Sequence, residues 1–152
     1  MKRLAITLCV ICYAVLTNAQ VTPYKQPTLA PEIWTESDLM QPAELASVIN
    51  DPHAAKPLIY NIGVTENIEG AIKLGAASEK GNLKLLRNAL SKVPVSATVV
   101  VYCGCCPFAK CPNIRPAFTM LKDMGFINAK LLNLSTNLKT DWINKGYPLA
   151  KK

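Results

Sequence analysis

The chain has 152 residues, the length of one ordinary domain, and a formal charge of +7 from 17 basic and 10 acidic side chains. The basic residues are scattered, and they form no stripe interleaved with aromatic residues. This distribution argues against a nucleic-acid-binding protein.

Residues 1–19 have the pattern of a signal peptide. Lys2 and Arg3 form a basic start, residues 4–16 form a nearly unbroken apolar run, and small or polar residues lead to Ala19. The run is shorter than the roughly 20 apolar residues that cross a bilayer as a helix. We therefore predict cleavage after Ala19, a periplasmic or secreted location, and no stable membrane association afterwards. Residues 20–33, rich in proline, are predicted to be an extended lead-in.

Residues 34–150 are predicted to form the folded domain, in which helical and strand patterns alternate. Helices are predicted from apolar positions three and four residues apart, and strands from short runs of β-branched residues. The predicted helices cover residues 41–49, 83–93, 113–124 and 137–144, and the predicted strands cover residues 56–63, 68–75, 98–102 and 129–134. Such alternation indicates an α/β fold with a central parallel sheet and helices on both faces.

The strand at residues 98–102 is followed by the most informative segment of the chain. Its unbroken β-branched and aromatic residues are typical of a strand buried on both faces, and a cysteine-rich loop then leads to a helix for which Asn113 is a good N-cap. In a parallel sheet, ligands bind in the crevice between a strand's carboxyl end and the following helix. This loop contains all the cysteines outside the signal segment: Cys103, Cys105, Cys106 and Cys111.

Several features of this loop favour a reactive thiolate. Backbone N–H groups and the positive end of the helix stabilise anions, and Lys110 and Arg115 add cationic side chains. An exported protein also meets an oxidising compartment, where thiols tend to pair. We therefore expect thiol chemistry here.

The order of the motifs resembles the rhodanese family. The resemblance spans residues 34–148, and the segments that match the family's motifs are LIYNIG at 58–63, NIEGAI at 67–72, VVVYC at 99–103, MGF at 124–126 and DWINKGYP at 141–148. The resemblance implies a rhodanese-like three-layer domain. In the family an acid and an arginine usually stand at the positions of Asn61 and Gly63, a histidine at that of Glu69, and the active loop is shorter.

The resemblance implies that Cys103 is the catalytic nucleophile of a sulfurtransferase, which would carry sulfur as a persulfide. Gly104, Cys105, Cys106, Lys110 and Arg115 would then bind the anionic sulfur donor. The expected partners are a small sulfur donor and a thiol acceptor, and no cofactor is expected. The sequence does not indicate an oligomeric state.

The additional cysteines leave other interpretations open. Cys103 and Cys106 form a Cys-x-x-Cys pair that could run thiol–disulfide exchange. Alternatively, Cys111 could pair with Cys105 or Cys106 and rigidify the loop, while a bridge between the adjacent Cys105 and Cys106 would be strained. A further alternative is non-enzymatic binding of a partner protein or of a soft metal, Cu(I) or Zn(II), by these four thiols.

Overall fold

The computed structural model of the protein describes residues 32–151. The predicted signal peptide at residues 1–19 and residues 20–31 of the predicted lead-in lie outside this range, while Glu32 and Ile33 are exposed. In the part of the chain that is described, no helix combines the length and the apolar run that a membrane crossing requires.

Five parallel strands form one sheet, which confirms the predicted central parallel sheet. The strand order is β1-β5-β4-β2-β3, so β4 lies in the middle. All four residues of β4 are buried, as predicted from its β-branched run. The strands are β1 (Leu39–Met40), β2 (Leu58–Asn61), β3 (Ala71–Lys73), β4 (Val99–Tyr102) and β5 (Ala129–Leu132).

Helices pack on both faces of this sheet, as the alternating pattern indicated. Leu86 of α2 and Phe118 of α3 belong to one apolar core with Val101 of β4. Leu45 of α1 belongs to a second core, which includes Leu138 of α4 and Val100 on the opposite face of β4. The helices are α1 (Pro42–Asn50), α2 (Lys80–Leu90), α3 (Ile114–Asp123) and α4 (Leu138–Asp141).

Some predicted bounds were wrong. The strand β1 was not predicted, because two residues are too few to show alternation. Helix α2 starts and ends earlier than predicted, since the chain turns after Leu90 through a hydrogen bond from Val93 N–H to the Leu90 carbonyl. The predicted last helix consists of α4 and a separate 3-10 turn at Ile143–Lys145.

The predicted strand at residues 68–75 is shorter in the structure. Only Ala71–Lys73 pairs in the parallel sheet, beside β2. Ile68 instead forms an isolated antiparallel bridge with Leu149. This bridge holds the segment after β2 against the end of the domain, next to the carboxyl ends of the strands.

Candidate functional site

Cys103 lies directly after β4, at the carboxyl end of the central strand. The strand ends at Tyr102, and the side chain of Cys103 is only 2 % exposed. We refer to residues 103–111 as the cysteine loop. Because β4 is buried and paired on both sides, the backbone that enters this loop is held firmly.

The segment after β2 packs directly against Cys103. A Cβ atom built on Gly63 would lie 2.6 Å from both the carbonyl oxygen and the Sγ atom of Cys103. The Thr65 hydroxyl donates a 2.7 Å hydrogen bond to the same carbonyl oxygen. The position at which the rhodanese family usually has an arginine is thus a glycine that gives room to the Cys103 sulfur.

Two buried polar side chains hold this segment in place. Asn61, which is fully buried, donates from Nδ2 to the Thr65 and Glu66 carbonyls and accepts from Gly63 N–H through Oδ1. The Tyr102 hydroxyl accepts from Ile68 N–H at 2.9 Å and donates to the Glu66 carbonyl. Such satisfied buried groups fix a loop because breaking any one of them leaves a costly unpaired partner.

Gly104 shapes the turn that directly follows Cys103 in the cysteine loop. Its φ of +80° is in the left-handed region that favours glycine, and an added Cβ would lie 2.8 Å from Leu138 Cβ and 2.9 Å from Thr65 Oγ1. Its carbonyl accepts a hydrogen bond from Leu138 N–H. The structure therefore gives Gly104 a role in shaping the turn, whereas the resemblance implied anion binding.

Three cysteine sulfur atoms, from the two ends of the cysteine loop, lie close together. The Sγ atoms of Cys103, Cys105 and Cys111 all lie within 4.8 Å of one another, and we call these residues the sulfur cluster. The Cys103 and Cys105 sulfurs are 3.2 Å apart. Cys106 lies next to this cluster, with its sulfur 3.3 Å from that of Cys105. All four cysteines are free thiols, of which Cys103 and Cys111 are buried and Cys105 is exposed.

Asn113 provides a polar contact to Cys103 that the sequence analysis missed. Its Nδ2 donates to Cys103 Sγ at 3.1 Å, while its Oδ1 accepts from Ser78 N–H at 2.9 Å. Asn113 is the N-cap residue of α3, as predicted, but its side chain makes no capping hydrogen bond to the helix. The contact with Ser78 determines the orientation of the amide and so directs its N–H group at the sulfur.

These contacts concentrate negative charge on Cys103. The pKa of Cys103 is lowered from 9.0 to about 5, first by a hydrogen bond from the Cys111 thiol and then by donors from Asn113 and Cys105, against the opposing effect of burial. The hydrogen bond to Cys103, together with burial, raises the pKa of Cys111. Burial and the two neighbouring thiols raise the pKa of Cys105 to about 12. The cluster therefore behaves as one thiolate, at Cys103, that accepts hydrogen bonds from two thiols.

The two cationic residues that were predicted to bind the sulfur donor lie in different surroundings. The Arg115 guanidinium lies 5.2 Å from the centre of the Trp34 ring, a cation–π contact at the start of α3. Lys110 is exposed at the end of the 3-10 turn Phe108–Lys110. The loop near this turn is anchored by a hydrogen bond from Phe108 N–H to the Leu134 carbonyl.

No protein-family model and no curated protein matches this sequence.

Gly63 provides a test of the close contact with Cys103. Gly63→Ala should destabilise the protein by about 1–3 kcal/mol, because the methyl group overlaps the Cys103 sulfur and carbonyl. Gly81→Ala in α2 is the matched control: its Cβ meets open space, so it should stabilise the helix by up to about 1 kcal/mol. Urea unfolding of both variants measures the difference, and equal stability of the two would contradict the contact.

Asn113 provides a test of the source of the low pKa. Asn113→Ala should raise the pKa of Cys103 by roughly 1, because a hydrogen bond to a charged group is lost. The readout is thiolate absorbance at 240 nm against pH, with Cys103→Ser to identify the transition. Asn128→Ala, which removes an exposed amide bonded to Ser96, should leave the transition unchanged.

The same pKa shift predicts a pH dependence of stability. Folding lowers the pKa of Cys103, so its thiolate contributes stability fully above about pH 9, and this contribution is lost as the pH falls toward 5. The wild-type protein should lose more stability over this range than Cys103→Ser.

For the absorbance titration, a Cys103 transition in the Asn113→Ala variant that matches the wild type would rule out the amide as a cause of the lowered pKa.

Proposed function

We propose that this chain is an exported, rhodanese-like sulfurtransferase that carries sulfur as a persulfide on Cys103. The observation that carries the proposal is a low-pKa thiol at the carboxyl end of the central parallel strand, which accepts hydrogen bonds from Cys105, Cys111 and Asn113. A depressed pKa makes a cysteine nucleophilic at neutral pH. The parallel sheet, the helices on both faces and the order of the sequence motifs support the rhodanese-like assignment.

The proposed reaction has two steps. With thiosulfate as donor, the Cys103 thiolate attacks the outer sulfur, the sulfur–sulfur bond of the donor breaks, and sulfite leaves with the electron pair. Cys103 then carries a persulfide anion. An acceptor thiolate attacks the terminal sulfur and leaves as a persulfide, which restores the Cys103 thiolate without net oxidation or reduction of the protein.

Access to Cys103 limits this reaction to small donors. The Cys103 side chain is 2 % exposed, whereas its neighbour Cys105 is exposed to solvent. A donor that approaches from this side must displace the Cys105 side chain, whose sulfur is 3.2 Å from that of Cys103.

A second candidate function is thiol–disulfide exchange, which the 3.2 Å separation of the Cys103 and Cys105 sulfurs favours. Cys103 would attack a substrate disulfide, and Cys105 would resolve the mixed disulfide and release the substrate as a dithiol. The sequence spacing had suggested Cys106 as the partner thiol. In the structure Cys106 contacts Cys105, and it does not belong to the sulfur cluster.

Single cysteine variants test the proposed sulfur transfer. With thiosulfate as donor and reduced glutathione as acceptor, sulfite release should fall by at least about 100-fold in Cys103→Ser, because the nucleophile is lost. Cys106→Ser is the matched control and should retain activity, since it removes a thiol outside the cluster. Intact mass should show one added sulfur atom on the reduced wild-type protein, and none on Cys103→Ser.

Thiol–disulfide exchange would give a different pattern. Cys103→Ser and Cys105→Ser would both abolish turnover of a disulfide substrate, and the wild-type mass would fall by two hydrogens with no sulfur gain. That result would overturn sulfur transfer in favour of the second candidate.

A further inference from the structure

We propose that the sulfur cluster of Cys103, Cys105 and Cys111 is also a binding site for Cu(I). Their three Sγ atoms lie within 4.8 Å of one another, and all three are free thiols. Thiolate is the ligand type that a soft monovalent ion such as Cu(I) prefers. Binding of the ion displaces the protons of the Cys105 and Cys111 thiols to solvent. It requires neither a sulfur donor nor oxidation of the protein, so it is separate from the proposed function.

The sulfur separations fit a three-coordinate ion. Metal–thiolate bonds of about 2.3 Å place the three sulfurs of a planar site about 4 Å apart. In the metal-free cluster the Cys103 and Cys105 sulfurs are 3.2 Å apart, and no pair in the cluster is separated by more than 4.8 Å. The observed separations therefore bracket the required one, and shifts of less than about 1 Å would seat the ion.

The number and type of ligands favour Cu(I) over Zn(II). Structural zinc sites use four ligands in a tetrahedron. In the part of the chain that the structure describes, no fourth histidine, cysteine or carboxylate completes the cluster. Cys106 is the nearest further thiol, but its contact is with Cys105 and it does not come within 4.8 Å of all three sulfurs.

The surroundings of the cluster also suit a bound ion. Cys103 and Cys111 are buried, and the exposed Cys105 gives an entry route from solvent. Asn113 donates to Cys103 Sγ at 3.1 Å and is itself fixed by Ser78 N–H, the kind of outer contact that orients a metal ligand. The site therefore has two buried thiols and one exposed thiol through which the ion could enter or leave.

The test is an anaerobic competition for Cu(I) between the reduced full-length protein and the chromogenic chelator bathocuproine disulfonate. The wild-type protein should take up one Cu(I) per chain. Cys105→Ser and Cys111→Ser should each weaken binding by at least about 100-fold, because two thiolates replace three. Cys106→Ser is the matched control and should bind within about threefold of the wild type.

X-ray absorption of the loaded protein should show three sulfur ligands at about 2.3 Å. Absence of Cu(I) uptake, undiminished binding by Cys105→Ser, or equal loss in Cys106→Ser would each overturn the proposal. Cys105 is exposed, so its variant tests the site without disturbing the core. Sulfur loading of Cys103 from thiosulfate is measured separately on the wild-type protein, so that failure of sulfur transfer and failure of Cu(I) binding are told apart.

Discussion

The negative charge on the Cys103 sulfur is the feature on which the rest of the site depends. A charged group at a position only 2 % exposed is unfavourable unless hydrogen bonds replace the lost water. Here the donors are the Cys111 thiol, the Asn113 amide and the backbone and thiol of Cys105. The Cys105 and Cys111 thiols stay protonated because each donates its proton in a hydrogen bond to the Cys103 thiolate. The pKa of Cys103 is therefore lowered, while the pKa values of Cys105 and Cys111 are raised.

The fold holds these donors by contacts that converge from distant parts of the chain. The segment after β2 supports the Cys103 carbonyl through Thr65, and Gly63 leaves the space that the sulfur occupies. The Leu138 N–H binds the Gly104 carbonyl, and Ser78 N–H orients the Asn113 amide. The proposed sulfur transfer and the proposed Cu(I) binding both depend on these fixed neighbours of the Cys103 thiolate.

Features that depend on local residue patterns could be predicted from the sequence. The β-branched run of β4 predicted its burial and so placed Cys103 at the strand end. Contacts between residues far apart in the chain could not be predicted, because the spacing of residues in the sequence does not show which of them come into contact in the folded protein. The partner of Asn113 is Ser78, 35 positions away, so its preference for helix caps was the only available signal. The Cys-x-x-Cys spacing pointed to Cys106 for a similar reason, whereas the turn at Gly104 brings Cys105 to Cys103.

A single thiolate, at Cys103, is stabilised by protonated neighbours. The most direct measurement is a pH titration of the reduced protein with cysteine labelled with ¹³C at Cβ, followed by NMR, with each signal assigned from its Cys→Ser variant. The Cys103 signal should titrate near pH 5, while Cys105 and Cys111 should remain protonated through pH 9. Titration of Cys103 near pH 9, together with the other thiols, would contradict it.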